Sequence, residues 1–110
     1  MNNIVSFSDC AQMCMTCSLT CTGCAAACLD ENDLEMMREC IKRCLDCADI
    51  CNLCAGSEQR SSAFMQEICQ LCAQMCDYCA KECSKHDAEH CQQCAETCQQ
   101  CAAECRKMAT

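Results

Sequence analysis

Twenty-one cysteines are spread through 110 residues at steps that alternate between three and four. The first run is Cys10, Cys14, Cys17, Cys21, Cys24 and Cys28, and the second is Cys40, Cys44, Cys47, Cys51 and Cys54. The third is Cys69, Cys72, Cys76, Cys79 and Cys83, and the fourth is Cys91, Cys94, Cys98, Cys101 and Cys105. His86 and His90 sit around the last break. Thiolate and imidazole together are ligands for soft and borderline metal ions, so the chemistry these residues offer is metal binding.

Alternating threes and fours average about 3.5 residues, the heptad seam of a helix in a bundle. Every a and d position, where leucine is usual, is therefore a thiol. The chain has no proline, only Gly23 and Gly56, and three aromatic residues, Phe7, Phe64 and Tyr78. Helices are favoured over strands by that composition. Four runs with short breaks predict an all-α, antiparallel up-down-up-down four-helix bundle with a cysteine-lined core, a single domain over residues 1–110.

Local signals place the ends. Ser6 with Asp9 is the expected cap of the first helix, which ends soon after Cys28. Asn32 with Glu35 resembles a capping box for the second helix, and Gly56 is its expected C-terminal stop. The third helix runs from Phe64 to about Ser84, and Asp87 or Ser84 caps the fourth. Antiparallel order then gathers Phe7, Gly56, Met65 and Met108 at one mouth, which apolar side chains plug. Cys28, Met37, Cys83, His86 and His90 meet at the other, with Met36 beside them. Thioether, imidazole and thiol at one opening suggest where metal enters.

A second stripe, Phe64, Ile68, Leu71, Met75 and Tyr78, runs one step from the third cysteine seam. It covers either a neighbouring helix or another subunit, and Ile41 with Leu45 forms a weaker stripe of the same kind. Met13, Met15 and Met75 adjoin the seam as ordinary packing. The acidic residues Asp46, Asp49, Glu67, Asp77, Glu82, Glu96 and Glu104 lie off the seam, as expected of a solvated outer face.

The net charge of −8 disfavours nucleic acid and anionic membrane surfaces as partners. No basic start followed by an apolar run marks a leader, and no stretch is apolar enough to span a bilayer, so a cytoplasmic location is expected. Thiols stay reduced there. Helical geometry agrees: i,i+3 and i,i+4 Cβ atoms stand about 5–6 Å apart, whereas a disulfide needs about 3.5–4.5 Å.

Simple burial does not account for the seam, because four rows of small side chains underfill a bundle core. A metal-filled channel does, and charge selects the metal. About five zinc ions in separate four-cysteine sites would use about twenty thiolates and leave roughly ten negative charges in a dry core. No lysine or arginine lies on the seam to offset them. Cu(I) cancels thiolate charge one for one, prefers sulfur and accepts two or three ligands, giving a capacity of roughly one ion per cysteine, on the order of 20. Pairs such as Cys10/Cys14, Cys40/Cys44, Cys79/Cys83 and Cys101/Cys105 can hold an ion along one helix, and the i,i+3 pairs link one unit to the next.

The ladder over nearly the whole chain, with the segment Glu82-Cys83-Ser84-Lys85-His86-Asp87-Ala88-Glu89-His90-Cys91-Gln92-Gln93-Cys94-Ala95, resembles the bacterial copper storage proteins. The resemblance implies a four-helix bundle, commonly a homotetramer, whose core cysteines bind many Cu(I) ions. It implies the cytosolic branch of that family and loading through the mouth bearing His86 and His90, with a copper chaperone or small thiols as candidate partners. The expected function is thus non-enzymatic Cu(I) storage, and the alternative is a zinc or cadmium buffer of metallothionein type. A thiol oxidoreductase would need an exposed, low-pKa cysteine at a helix start. An iron–sulfur protein would carry spacings unlike this ladder.

Overall fold

The structure, a computed structural model, describes residues 5–109. The first four positions, which enter the expectation about a leader, and Thr110 lie outside the described residues. Four helices follow in order: α1 (Asp9–Cys28), α2 (Leu34–Gln59), α3 (Met65–Cys83) and α4 (Glu89–Met108). Each packs on two neighbours, α1 on α2 and α4, and α3 on α2 and α4, in the square arrangement of an up-down-up-down bundle. No described helix is long and apolar enough to cross a membrane.

The seam is buried throughout, every cysteine being at most 2% exposed. A second small-residue row lies one step after alternate cysteines: Ala11, Ser18, Ala25, Ala48, Ala55, Ala73, Ala80, Ala95 and Ala102 are all buried. Alanine and serine at these flanking positions let neighbouring backbones approach closely enough for thiols to meet across the core. Ser18 also ties α1 to α2, its Oγ lying 3.1 Å from the Ala48 carbonyl and 3.0 Å from Asn52 Oδ1. The helix ends match their dipoles where charge is available, with Asp9, Glu35, Glu67 and Glu89 in first turns and Arg106 and Lys107 in the last turn of α4.

Several ends differ from the expected ones. Ser8, not Ser6, caps α1, accepting from the Ala11 amide at 3.0 Å. Ser6 instead offers its carbonyl to the Gln59 side chain, 3.0 Å away. Asp33, not Asn32, caps α2, accepting from the Met36 amide at 3.1 Å, while Glu35 pairs with Arg38 at 2.8 Å. Gly56 does not stop α2. The helix continues to Gln59, and the left-handed residue after it is Ser61, with φ of 51°. The Arg60 side chain folds back over Gly56, its Nη1 standing 2.8 Å from where a Cβ would lie. Neither Asp87 nor Ser84 caps α4. Ala88 occupies the cap position with no side-chain bond, and Gln92 closes the turn by donating to the His86 and Ser84 carbonyls at 2.6 and 3.2 Å.

The far mouth also differs from the expected plug. Met65 and Met108 pack partly buried against the core, but Phe7 is 60% exposed and lies with Met15, Gly56 and Gln59 along a groove between α1 and α2. The stripe on α3 divides: Ile68 and Met75 pack against the core, whereas Phe64, Leu71 and Tyr78 stay exposed. Tyr78 is not core packing, and its ring lies 3.5 Å beneath the Arg43 guanidinium.

Because Ala102 is wholly buried at the α4 flank, Ala102→Leu should force the helices apart and cost about 1–3 kcal/mol. Chemical denaturation of the reduced, metal-free protein measures this directly.

Candidate metal centre

All twenty-one cysteines are free thiols. Their sulfurs form a continuous column, with neighbouring Sγ atoms between 3.4 Å (Cys40 to Cys83) and 4.0 Å (Cys51 to Cys101) apart. These are non-bonded separations, close to the span of two sulfurs sharing one metal ion with bonds of about 2.3 Å.

The pairing is mostly between helices. Along one helix, Cys17/Cys21 lie 3.9 Å and Cys79/Cys83 3.8 Å apart, and Cys10/Cys14, Cys94/Cys98 and Cys101/Cys105 lie within 4.8 Å. Members of these pairs also meet partners on facing helices, as Cys14 does with Cys101 and Cys105, each at 3.7 Å. The pairs expected along single helices are thus joined by pairs across the tube. The reason is the narrowness of the tube: α2 and α4 stand on opposite corners, yet their thiols touch across the centre. Cys40/Cys91, Cys44/Cys94 and Cys47/Cys98 lie 3.9, 3.7 and 3.8 Å apart.

Sets of four sulfurs, all within 4.8 Å of one another, follow each other along the axis. Cys10, Cys14, Cys54 and Cys105 form one, and Cys14, Cys72, Cys101 and Cys105 the next. Cys17, Cys51, Cys76 and Cys101 follow, then Cys17, Cys21, Cys47 and Cys98, then Cys21, Cys79, Cys94 and Cys98. Consecutive sets share members, so a thiolate in one set is already in place to bridge to the next. Cys69 joins the column through Cys54 at 3.6 Å, and Cys28 through Cys40 at 3.8 Å.

The two histidines reach the same mouth from different elements. His86 lies in the turn after α3 and is buried, and His90 is in the first turn of α4. His90 Nδ1 is 3.3 Å from Cys24 Sγ and 3.5 Å from Cys91 Sγ, while its Nε2 is 2.9 Å from Glu31 Oε1. His86 Nε2 is 2.9 Å from Glu82 Oε2. A cleft of about 740 Å³ at this mouth is lined by Glu31, Met36, Met37, Glu82 and His86 among others. Met37 is buried and Met36 exposed.

Glu82 and Glu31 are site residues that the sequence reading did not single out. Glu82 is buried, unlike the solvated carboxylates with which it was grouped, and the hydrogen bond with His86 holds its carboxyl below the usual range against the opposing effect of burial. Its i,i+4 spacing to His86 was a usable signal. Glu31 gave none, because it lies in the loop between α1 and α2.

Burial shapes the thiol chemistry at the column's ends. It pushes Cys28 up to about 11 and Cys69 up to about 12 from 9.0, helped by the charges of Cys40 and Cys54 respectively. A raised thiol favours folding while it stays protonated. That contribution is complete below pH 9 and is lost as pH climbs through the folded values. The metal-free protein should therefore lose stability progressively from about pH 9 to 12, as denaturant midpoints followed by circular dichroism will register.

Comparison with known proteins agrees with this geometry. The family profile described as "Csp: Copper storage protein" matches residues 4–110. Among solved structures, Cu(I)-bound copper storage protein BsCsp3 is 44% identical, with a TM-score of 0.88, over 92% of this chain and 95% of that one. Apo copper storage protein 3 from Bacillus subtilis is also 44% identical, with a TM-score of 0.87, over 92% of this chain and 96% of that one. A cytosolic copper storage protein from Streptomyces lividans, loaded with five coppers, is 35% identical, with a TM-score of 0.88, over 91% of this chain and 88% of that one. No match was found among curated proteins. Profile, fold and thiol-lined core coincide over almost the entire sequence, and the chain belongs to the copper storage protein family.

Proposed function

We propose that this protein is a cytosolic, non-enzymatic store for Cu(I), holding many ions on the twenty-one cysteines of its core and loading them through the mouth that carries His86 and His90. The observation that carries this reading is the run of overlapping four-sulfur sets in a dry tube. Among the described residues no lysine or arginine is buried, so nothing cationic offsets surplus thiolate charge. Replacing each thiol proton by Cu(I) leaves the charge of the core unchanged, whereas divalent ions in four-thiolate sites do not. Bridging sulfurs also suit an ion content of roughly one per cysteine. The related proteins from Bacillus subtilis and Streptomyces lividans are described as copper stores, the latter as cytosolic, which supports the same role here.

Assembly into a homo-oligomer, a tetramer by analogy with the family, belongs to this proposal. The exposed Phe64, Leu71 and Tyr78 on α3 offer a surface for it. A copper chaperone or small thiols would deliver and withdraw the metal.

Anaerobic titration against a chelator should give saturation on the order of 20 Cu(I) per chain. Saturation near about five divalent ions, with zinc retained more tightly than Cu(I), would instead support the metallothionein-like buffer. Serine at Cys14, Cys17, Cys47, Cys51, Cys72, Cys76, Cys94 and Cys98 should reduce Cu(I) capacity by about 40% or more while the helices persist. Full capacity in that variant would end the channel reading.

A further inference from the structure

We infer that Glu31 is a positioning residue: from the α1–α2 loop it fixes the ring of His90 so that Nδ1 faces Cys24 and Cys91 with its lone pair free for Cu(I). This rests on the storage reading above. A carboxylate only accepts hydrogen bonds, so the 2.9 Å contact between Glu31 Oε1 and His90 Nε2 requires the proton on Nε2. In the neutral ring Nδ1 is then the bare nitrogen. It faces two sulfurs, Cys24 at 3.3 Å and Cys91 at 3.5 Å, which are themselves 4.0 Å apart.

Those three separations form an acute triangle whose centre lies about 2.1 Å from each donor. That matches a metal–nitrogen bond and falls only slightly short of a metal–sulfur bond. An ion placed there needs no ring rotation and little movement of sulfur. As Cu(I) binds, one thiol proton leaves to solvent in exchange for the ion, so the charge of the site is unchanged, and Nδ1 contributes its lone pair with no proton to lose. No electron is transferred.

Glu31 acts from outside this triangle, and its position explains why an acidic residue of an interhelical loop turns toward the mouth. With the carboxylate removed, the ring can rotate or carry its proton on Nδ1, which would aim an N–H at the sulfurs. Losing such an outer partner typically lowers metal affinity about 10–100-fold. Glu31 is partly exposed, with 38% of its side-chain surface open, so the fold does not depend on it.

The test uses the full-length, reduced protein. Nitrogen-15 long-range correlation spectra of the metal-free form report the tautomer of each histidine, with His90 assigned by comparison with His90→Gln. In the wild type His90 should show a bare Nδ1 and a protonated Nε2. Glu31→Ala should mix the tautomers and weaken retention of the first Cu(I) equivalent against a chelator by about tenfold. Glu31→Gln keeps an oxygen acceptor without the charge and should restore both. All three forms should keep the same total capacity. A proton on Nδ1 in the wild type, an unchanged tautomer and retention in Glu31→Ala, or a Glu31→Gln variant as impaired as Glu31→Ala would each overturn the inference. Failure of the storage reading is separable: total Cu(I) capacity would fall far below one per cysteine even with His90 in the expected tautomer.

Discussion

A dry column of sulfur cannot hold net charge, and this constraint governs the rest of the molecule. Twenty-one thiols lie at most 2% exposed, so an uncompensated thiolate among them carries a large desolvation cost. Protonated, the column is neutral. With Cu(I) in place of each proton it is neutral again, so filling and emptying leave the electrostatics of the core largely unchanged. Apart from Glu82 on His86 at the mouth, the ion pairs lie on the outside: Arg38 with Glu35, Arg43 with Glu39 and Lys107 with Glu104 run along the outer faces of helices. Such exposed pairs contribute little to stability, and their placement keeps permanent charge away from the tube.

Small residues make the column possible. A bundle lined by leucine keeps its helices about 8–10 Å apart and fills the centre with carbon. Here alanine and serine flank cysteine, the backbones close in, and sulfurs from opposite corners come within 4.0 Å. The resulting core lacks large apolar side chains apart from Met37 and Ile50 among its buried members. Metal–thiolate bonds across facing helices would link all four, so loading and folding stability are coupled through the same sulfurs. The two ends are unlike. Met65 and Met108 pack at one, whereas a carboxylate-held imidazole, His86, and the thioethers of Met36 and Met37 line a cleft at the other. That asymmetry gives the tube a direction.

Most of the architecture was legible in the sequence because it is written in local periodicity. Alternating threes and fours fix a helical seam whatever the helix packs against, and four seams with short breaks leave few topologies open. The helix ends were read less well. Ser8 and Asp33 cap where Ser6 and Asn32 were expected, since neighbouring polar residues compete for the same amide and the winner depends on where the first turn starts. Gly56 looked like a stop, yet α2 runs on to Gln59 and the left-handed residue is Ser61, because tertiary packing carries the helix past a residue of low propensity.

The residue types alone determined the ligand chemistry and the choice of a univalent soft ion, because charge balance depends on composition and not on coordinates. Only the tertiary structure decided which sulfurs meet. Cross-tube pairs such as Cys44 with Cys94 join the i,i+4 pairs of single helices, and which sulfurs face each other depends on the relative height of two helices, set by all their contacts together. It likewise decided that Glu82 is buried on His86 and that Glu31 reaches His90 across 59 residues of sequence. Helical spacing is local and can be counted along the chain, whereas the meeting of a loop carboxylate with a ring on another helix exists only once the bundle has closed.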